Sequence, residues 1–147
     1  MRLTHFTDLG LRALMLMASD PQRAYSTAEI AAEFGISRNH LTKTIALLAA
    51  AGIVETRRGT GGGATLAQPP DQLRLGDLVA LLERQSALVE CFEVSGGSCV
   101  ITPSCRLKGY LADAHQQFLD ALNRHTLADC SLPAHTQIAP AGDRQLS

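Results

Sequence analysis

Three of the four cysteines fall in one short segment, residues 91–105, which reads CFEVSGGSCVITPSC. They are Cys91, Cys99 and Cys105, at the spacing Cys-x7-Cys-x5-Cys. The glycine, serine and proline content of the segment predicts a loop. In a reducing compartment, clustered thiols are more often metal ligands or redox groups than structural disulfides. The segment is therefore the candidate chemical centre of the chain.

Residue types alone leave several kinds of thiol chemistry open. Structural zinc sites usually contain paired Cys-x2–4-Cys spacings, and both gaps here are longer. A redox pair of the Cys-x-x-Cys kind is absent from the sequence. An iron–sulfur cluster is bulkier than one ion and accommodates wider gaps, with bends at Gly96-Gly97 and Pro103 to wrap it. Plain thiols are the remaining alternative, and a buried hydrophobic role is favoured for Cys130.

Composition limits the class of protein that carries this loop. The 147 residues, 46% of them hydrophobic, predict one domain with a sizeable core and an appended arm. Residues 1–66 carry seven Lys/Arg against five Asp/Glu, which leaves six against nine for residues 67–147. This split hints at a DNA-facing N-terminal half. Arg12 interrupts the first apolar stretch, and no stretch approaches the length of a membrane span, so a cytoplasmic location is expected.

The N-terminal half has the pattern of a helix-turn-helix. Residues 7–19 predict a helix capped by Thr7 or Asp8. Ser26 and Glu29 form a capping box that opens a second helix, which Gly35 ends. A third helix follows over residues 38–51, capped by Ser37 and ended by Gly52. A plain helical hairpin has the same spacing. The predicted inward residues of the three helices are Leu11, Leu14, Met15 and Ala18, then Ile30, Ala31 and Phe34, then Leu41, Ile45 and Leu48.

A short hairpin after the third helix favours a winged helix over a plain hairpin. Residues 53–56 and 64–66 predict two strands, and the tip between them carries Arg57, Arg58 and four glycines. Glycines allow a close approach of backbone to a surface, and arginines suit phosphates and narrow minor grooves. A solvated arginine pair on a flexible turn is the alternative. The candidate DNA-binding residues are Ser37, Arg38, Asn39, His40, Lys43, Arg57, Arg58 and Gly59.

The C-terminal half predicts two more helices and a tail. Residues 75–83 predict a helix that packs on the first one. Residues 106–123 predict a longer helix whose apolar positions step by four and three, an a/d seam typical of helix pairing between two copies. Packing against its own chain is the alternative. This seam consists of Leu107, Leu111, Ala114, Phe118 and Ala121. Residues 131–147 lack periodicity and predict a disordered tail.

Together these patterns predict a mostly α-helical winged helix-turn-helix protein. Its expected parts are a DNA-binding domain over residues 1–83, a cysteine loop and dimerisation helix over residues 84–130, and the tail. No phosphate-binding loop or nucleophile elbow is present, and the glycines at 59–63 do not open a helix, so an enzyme is not expected.

Four segments resemble the dimeric iron–sulfur winged-helix regulators that include IscR and RirA. They are MRLTHFTDLGLRALMLMA at the start, GISRNHLTK, RRGTGGG and CVITPSCRLK, and the likeness covers about residues 1–130. It is greatest to the NsrR branch, the nitric-oxide-sensing repressors, through ITPSCRLK and the TLAD after the long helix. The resemblance implies a homodimer that binds double-stranded operator DNA.

The same resemblance implies a ligand set. Cys91, Cys99 and Cys105 match the cluster-binding cysteines of the family, with [4Fe–4S] favoured over [2Fe–2S]. IscR-like members have a histidine three residues after the last cysteine, where this chain has Lys108. NsrR-like members are implied to use an aspartate of the partner subunit, which Asp8 matches. Nitrosylation of the cluster is then expected to release operator DNA.

Three other functions stay open on the sequence alone. They are an iron- or cluster-status-responsive repressor of the RirA kind, an iron–sulfur redox protein with a winged-helix docking module, and a zinc-stabilised DNA-binding protein.

Overall fold

The computed structural model describes residues 2–133, and this part contains five α-helices and a two-stranded antiparallel sheet. The fold class predicted from the sequence, mostly helical with a small β-wing, is confirmed. Residues 134–147 of the predicted tail lie outside the described part. None of the helices within residues 2–133 combines the length and the apolar character that crossing a bilayer requires. The helices are α1 (His5–Ser19), α2 (Thr27–Phe34), α3 (Arg38–Ala50), α4 (Leu75–Leu82) and α5 (Arg106–Leu122), and the strands are β1 (Val54–Arg57) and β2 (Gly63–Leu66).

Helix α1 begins earlier than the sequence predicts. Thr4 has extended backbone angles, and its side-chain oxygen accepts a hydrogen bond of 3.2 Å from the backbone N–H of Thr7. This satisfies one of the free N–H groups of the first turn, so Thr4 is the N-cap. The predicted cap at Thr7 or Asp8 is wrong, because both residues already lie inside the helix.

The buried face of α1 is wider than the predicted one. Leu14 and Ala18 are buried as predicted, but Leu11 and Met15 are only half-buried. Helix α1 contacts α3, α4, β2 and the 3₁₀ turn at residues 127–130, so it is covered from several sides at once. A sequence pattern that assumes a single apolar face along a helix does not predict burial on several sides. The buried residues of α1 are Thr7, Leu9, Gly10, Ala13, Leu14, Met17 and Ala18.

The helix-turn-helix forms as its local signals predict. The capping box at Ser26 is present, with Glu29 N–H donating to Ser26 Oγ at 3.1 Å and Ser26 N–H donating to Glu29 Oε2 at 3.1 Å. Gly35 ends α2 in a left-handed conformation at φ 62°. Ser37 occupies the N-cap position of α3, but its side chain makes no capping hydrogen bond, so the prediction holds for its position alone.

The end of α3 leads directly into the wing. Gly52 is left-handed at φ +73°, and the N–H groups of Gly52 and Ile53 donate to Ala49 and Leu48 at 3.0 Å each. This hydrogen-bond pair is a Schellman motif, which satisfies carbonyls at the helix end. Strands β1 and β2 then pair in register, with Val54 opposite Leu66 and with residue 57 opposite residue 63.

Tyr25 adds a bridge between the wing and the α1–α2 connection. Its N–H donates to the carbonyl of Ala64 at 2.9 Å, and the N–H of Ala64 donates back at 2.7 Å. Gly63 beside it has φ +145°, and a Cβ there would lie 2.7 Å from the Tyr25 backbone. The wing is therefore fixed at its base to the helical part.

One hydrophobic core joins both halves of the described chain. Leu127, which comes after α5, is fully buried and belongs to the same core as Leu14, Leu48 and Leu78. Backbone hydrogen bonds hold it there, with Leu127 N–H donating to Leu73 O at 2.8 Å and Leu75 N–H donating to the carbonyl at position 125 at 3.1 Å. Helix α4 packs on α1 as predicted. The predicted segment boundaries at residues 83 and 130 stay predictions.

Helix α5 packs on α4 of its own chain but leaves much of the predicted seam uncovered. Gly76 of α4 lies so close to α5 that a Cβ there would be 2.2 Å from the carbonyl oxygen of Leu119. None of the residues of α5 is fully buried. Of the seam, Leu111 and Phe118 are half-buried, whereas Leu107 is 60% exposed. Helix α5 therefore does contact its own chain, which was the alternative to helix pairing between two copies. An apolar face of α5 remains exposed beside this contact.

Candidate DNA-binding surface and cysteine loop

The first two turns of α3 offer a polar exposed face. Its opposite face, Leu41, Thr44, Ile45 and Leu48, is buried in the core, which fixes the direction of the exposed one. A helix oriented in this way can place its N-terminal side chains against base edges in a major groove. The exposed residues here are Ser37, Arg38, Asn39, His40 and Lys43, all of them predicted from the sequence.

The wing tip presents the second group of predicted residues. Arg57, Arg58 and Gly59 are all exposed. Gly59 has φ +92°, and a Cβ on Gly62 would lie 2.3 Å from the carbonyl oxygen of Arg57. The tip is thus a tight turn that only glycines can form at these positions. Arg57 Nη2 lies 3.9 Å from Glu55 Oε2. Because both side chains are exposed, this ion pair is weak and competes little with a phosphate for Arg57.

A contact that the sequence did not indicate joins α1 to the recognition face. The rings of His5 and His40 meet edge to face, with centroids 6.5 Å apart and planes at 81°. His5 lies in the same helical turn as Asp8. The first turn of α1 and the first turn of α3 are therefore in direct contact.

The start of α1 is also bound to the end of α4. Glu83 Oε1 accepts hydrogen bonds from Thr4 N–H at 2.7 Å and from Thr4 Oγ1 at 2.9 Å. Partial burial by itself raises the pKa of Glu83, but the hydrogen bonds from Thr7 and Thr4 outweigh it and leave this pKa below its ordinary value. Glu83 lies eight residues before Cys91, so the chain that leads into the cysteine loop starts from this junction between α1 and α4.

The three predicted cysteine ligands are free thiols on different parts of the loop. Cys91 lies in the 3₁₀ turn Glu90–Phe92, Cys99 lies in irregular chain, and Cys105 directly precedes α5. All three are half-buried and none is in a disulfide. Within residues 2–133, no three His, Cys, Asp or Glu side chains are grouped closely enough to hold a metal ion. The predicted site is therefore not preassembled within one chain.

Asp8 points to solvent in the described chain. Its carboxylate pairs with Arg12, one helical turn later, with Oδ2 to Nη2 at 2.8 Å and Oδ1 to Nε at 3.1 Å. The Asp8 side chain is 45% exposed. It is therefore available to a group outside its own chain, and Arg12 orients it.

Glu90 and Ser98 form a short hydrogen-bonded closure inside the loop. Glu90 Oε1 accepts from both the N–H and the hydroxyl of Ser98, each at 2.6 Å. These bonds, the hydroxyl first and the N–H second, lower the pKa of Glu90 below its ordinary value. Sequence reasoning missed this pair. The feature that could have indicated it is that a glutamate directly precedes Cys91 and a serine directly precedes Cys99.

Two polar atoms near the loop are buried without a partner in the described part of the chain. They are Thr102 Oγ1 and His115 Nδ1. His115 projects from α5 into a cavity of about 630 Å³ that the loop residues 92–95 and the chain after α4 also line. Sequence reasoning did not select His115, because a lone histidine in an amphipathic helix carries no spacing signal.

An iron–sulfur cluster fits the loop in the kind of donor it offers. Three free thiols and the unpartnered Thr102 Oγ1 lie along one glycine-containing segment, and thiolates are the usual cluster ligands. Closure of the loop is needed to bring all three together. Lys108, where IscR-like proteins carry a histidine, is half-buried in the first turn of α5. An ammonium group is no ligand, so a fourth donor has to come from elsewhere.

The fold and the two exposed basic surfaces define a winged-helix DNA-binding protein. Residues 3–131 match the family profile described as Rrf2: Iron-dependent Transcriptional regulator. The chain therefore belongs to the Rrf2 family and is a DNA-binding transcriptional regulator.

Solved structures with the same fold support this assignment. The chain is similar to IscR of T. potens, with 26% sequence identity over 88% of this chain and 85% of that one, at a TM-score of 0.66. It is also similar to CymR (YrzC), the global cysteine regulator of B. subtilis, with 26% identity over 88% and 95% of the two chains, at a TM-score of 0.63. The oxidised form of CymR from Staphylococcus aureus, 24% identical over 87% and 94% at a TM-score of 0.65, shares the fold.

Proposed function

We propose that this protein is a homodimeric transcriptional repressor that uses an iron–sulfur cluster to sense nitric oxide. The observation that carries the proposal is the combination, in one chain, of a winged helix and a loop with three free thiols. In this proposal Cys91, Cys99 and Cys105 hold the cluster, and Asp8 of the other subunit supplies the fourth ligand. The cluster supplies iron that reacts with nitric oxide, and [4Fe–4S] is favoured over [2Fe–2S].

The exposed carboxylate of Asp8 supports an exchangeable ligand. A carboxylate oxygen leaves iron more readily than a thiolate does, because iron in clusters prefers soft sulfur donors. Loss of an iron contact at Asp8 would change the forces on the first turn of α1. That turn contacts the recognition helix through His5 and His40, so a shift there reaches the DNA-binding face. Emptying a mostly occupied operator requires roughly a 10⁴-fold change in relative affinity.

The exposed surfaces support the mode of DNA binding. The N-terminal turns of α3 enter the major groove, and Arg57, Arg58 and Gly59 at the wing tip follow the backbone or the minor groove. In a dimer two such units bind half-sites about one helical turn apart. The uncovered apolar residues of α5 provide the dimer contact.

The proposal is tested on anaerobically purified protein. A brown protein should bind its operator fragment in a gel-shift assay and release it when nitric oxide is added, with a matching change in the visible absorption spectrum. A colourless protein that binds DNA equally with and without iron would refute it. Metal analysis of the same sample distinguishes iron from zinc.

A second candidate function is an iron- or cluster-status-responsive repressor. It is favoured by the description of the family profile as iron-dependent. Its signature is loss of operator binding on iron chelation with little response to nitric oxide. The gel-shift assay separates the two functions when both treatments are applied to the same preparation.

The DNA-binding role is tested apart from the cluster. Arg57→Ala and Arg58→Ala should weaken operator binding and lower the salt dependence of log K by about one for each phosphate that is no longer neutralised. Arg124→Ala removes an equal charge from the chain after α5 and is the matched control. Unchanged affinity in the wing variants would favour the redox protein in which the winged part only docks.

A further inference from the structure

The carboxylate of Glu90 closes part of the cysteine loop on itself. Its Oε1 accepts two hydrogen bonds of 2.6 Å from Ser98, eight positions later. One donor is the backbone N–H, so the carboxylate fixes the main chain at that point as well as a side chain. Bonds to a charged acceptor are stronger than those between neutral groups.

The backbone approaches Glu90 closely at the same place. Gly97 has φ +63°, and a Cβ there would lie 2.7 Å from both Cγ and the carbonyl oxygen of Glu90. Gly96 is also left-handed, at φ +80°, but nothing lies within 4 Å of its Cβ position. Gly97 thus allows the backbone to approach Glu90 closely, and it also allows the left-handed turn. Gly96 N–H donates to Glu93 O at 2.8 Å inside the closed segment.

The closure acts on the two cysteines that follow it. Glu90 directly precedes Cys91, and Ser98 directly precedes Cys99. Each of these two cysteines therefore directly follows one of the two hydrogen-bonded residues. Cys105 is held separately, by the turn at residues 102–104 that leads into α5. The Glu90–Ser98 closure thus lies next to Cys91 and Cys99, whereas Cys105 lies outside it.

We infer that Glu90 is a positioning residue that keeps Cys91 and Cys99 near each other before any metal is bound. Holding two ligands in place lowers the entropic cost of forming the site, because fewer chain conformations are lost on binding. Cys105 then completes the thiol set by movement of one segment. The inference rests on the proposed function for its purpose, but the arrangement it describes is a property of the metal-free chain.

Crosslinking of the metal-free protein tests the arrangement directly. In the Cys105→Ser/Cys130→Ser background, only Cys91 and Cys99 can react with dibromobimane. Each thiolate displaces one bromide and forms one C–S bond, and the probe becomes fluorescent once both have reacted. Glu90→Ala should lower the rate of intramolecular bridging about tenfold. Ser98→Ala, which keeps the backbone donor, should lower it by about threefold.

A neighbouring pair provides the matched control. Glu93 and Ser95 are also an exposed glutamate and serine of the loop, but their hydrogen bond is long, at 3.4 Å. Glu93→Ala and Ser95→Ala should bridge at the rate of the parent protein. Equal rates for the Glu90→Ala variant and the parent overturn the inference, and so does an equal loss in Glu93→Ala, which would indicate a general charge effect.

Cluster loading then separates this inference from the proposed function. After anaerobic reconstitution, Glu90→Ala should release iron to a chelator faster than Glu93→Ala does, with both variants still folded by circular dichroism. A parent protein that bridges rapidly but binds no iron counts against the proposed function alone. A parent that binds iron, with Glu90→Ala releasing it no faster, counts against the role of Glu90.

Discussion

Asp8 and Arg12 form an exposed ion pair in α1, and the two residues can be separated experimentally. Removal of either residue breaks the same pair, in which Arg12 Nη2 lies 2.8 Å from Asp8 Oδ2. Such a pair contributes little to folding, about 0.3–0.5 kcal/mol. Only the removal of Asp8 takes away a carboxylate that could reach a partner subunit.

We therefore predict different outcomes for Asp8→Ala and Arg12→Ala. Both should change the free energy of unfolding by less than about 1 kcal/mol. Asp8→Ala should lose iron faster on chelation, whereas Arg12→Ala should retain most of the cluster. Iron release and denaturant unfolding measure the two effects. Equal iron loss in both variants would mean that iron retention depends on the ion pair and not on the Asp8 carboxylate alone.

Glu83 is a residue whose ionisation should affect stability. Its folded-state pKa is below the ordinary value of 4.5, so its ionised form favours the folded state. This stabilisation is present above the unfolded-state pKa and is lost as the pH falls below about 4.5 and through the folded-state value.

We predict that Glu83→Gln makes the free energy of unfolding depend less on pH in the acid range. At neutral pH it should cost about 1–2 kcal/mol, because the partly buried donors of Thr4 lose a charged acceptor. Below the folded-state pKa the variant and the wild type should converge. Urea unfolding across the acid range measures this, with the exposed Glu55→Gln as control. A constant gap at every pH would contradict the assignment.

At the scale of elements, the contact between α4 and α5 depends on the missing side chain of Gly76. Its Cβ position lies 2.2 Å from Leu119 O and 2.6 Å from Asn123 Oδ1. Asn123 binds α4 in return, because its Oδ1 accepts from Asp77 N–H at 3.0 Å and its Nδ2 donates to Asp77 Oδ1 at 2.9 Å. Backbone cannot move aside as a flexible side chain can, so the two helices would have to separate.

Gly76→Ala should therefore destabilise the protein by about 1–3 kcal/mol. Gly109, in α5, has nothing within 4 Å of its Cβ position. Gly109→Ala should stabilise by about 0.5–1 kcal/mol, because alanine loses less backbone entropy in a helix. Thermal unfolding of the two variants measures the contrast. A neutral effect of Gly76→Ala would show that the helices are not closely packed.

At the scale of the whole molecule, α5 presents an apolar surface beside its contact with α4. Leu107 is 60% exposed and Tyr110 is 65% exposed, and both follow the cysteine loop closely. The loop itself exposes Val94 and Val100. This concentration of apolar side chains on one part of the chain is the observation that favours a second copy as the partner.

We predict that Leu107→Glu weakens dimerisation about 10- to 100-fold, because each copy would bury a charge in place of an apolar group. Ala112→Glu adds the same charge at an exposed position of α5 off the seam and should leave the dimer intact. Sedimentation velocity at several concentrations measures both. A Leu107→Glu protein that remains fully dimeric would contradict dimerisation through the seam.

Local signals explain why much of the fold could be predicted. The capping box at Ser26, the glycines that end α2 and α3, and the alternation in the wing each depend on neighbours within a few residues. The exposed positions of α3 and the wing tip follow from the same patterns. The N-cap of α1 was misplaced, because threonine and aspartate at several adjacent positions give competing cap signals.

Long-range contacts could not be predicted in this way. The bonds from Thr4 to Glu83, the packing of Gly76 on Leu119 and the burial of Leu127 join residues far apart in sequence. The cysteines indicated thiol or metal chemistry, because ligand type depends on residue identity, but their spacing left zinc, an iron–sulfur cluster and plain thiols open. The spacing did not indicate the hydrogen-bonded closure between Glu90 and Ser98, the residues directly before Cys91 and Cys99.

The sequence by itself determined the class of fold, the basic faces and the thiol set of this protein, since these depend on residue type and short-range periodicity. The tertiary structure alone decided how the parts are joined: the start of α1 is bound to the end of α4, and α5 packs on α4 beside an uncovered apolar face. The physical reason is that close packing and buried hydrogen bonds depend on three-dimensional proximity, which no spacing along the chain specifies.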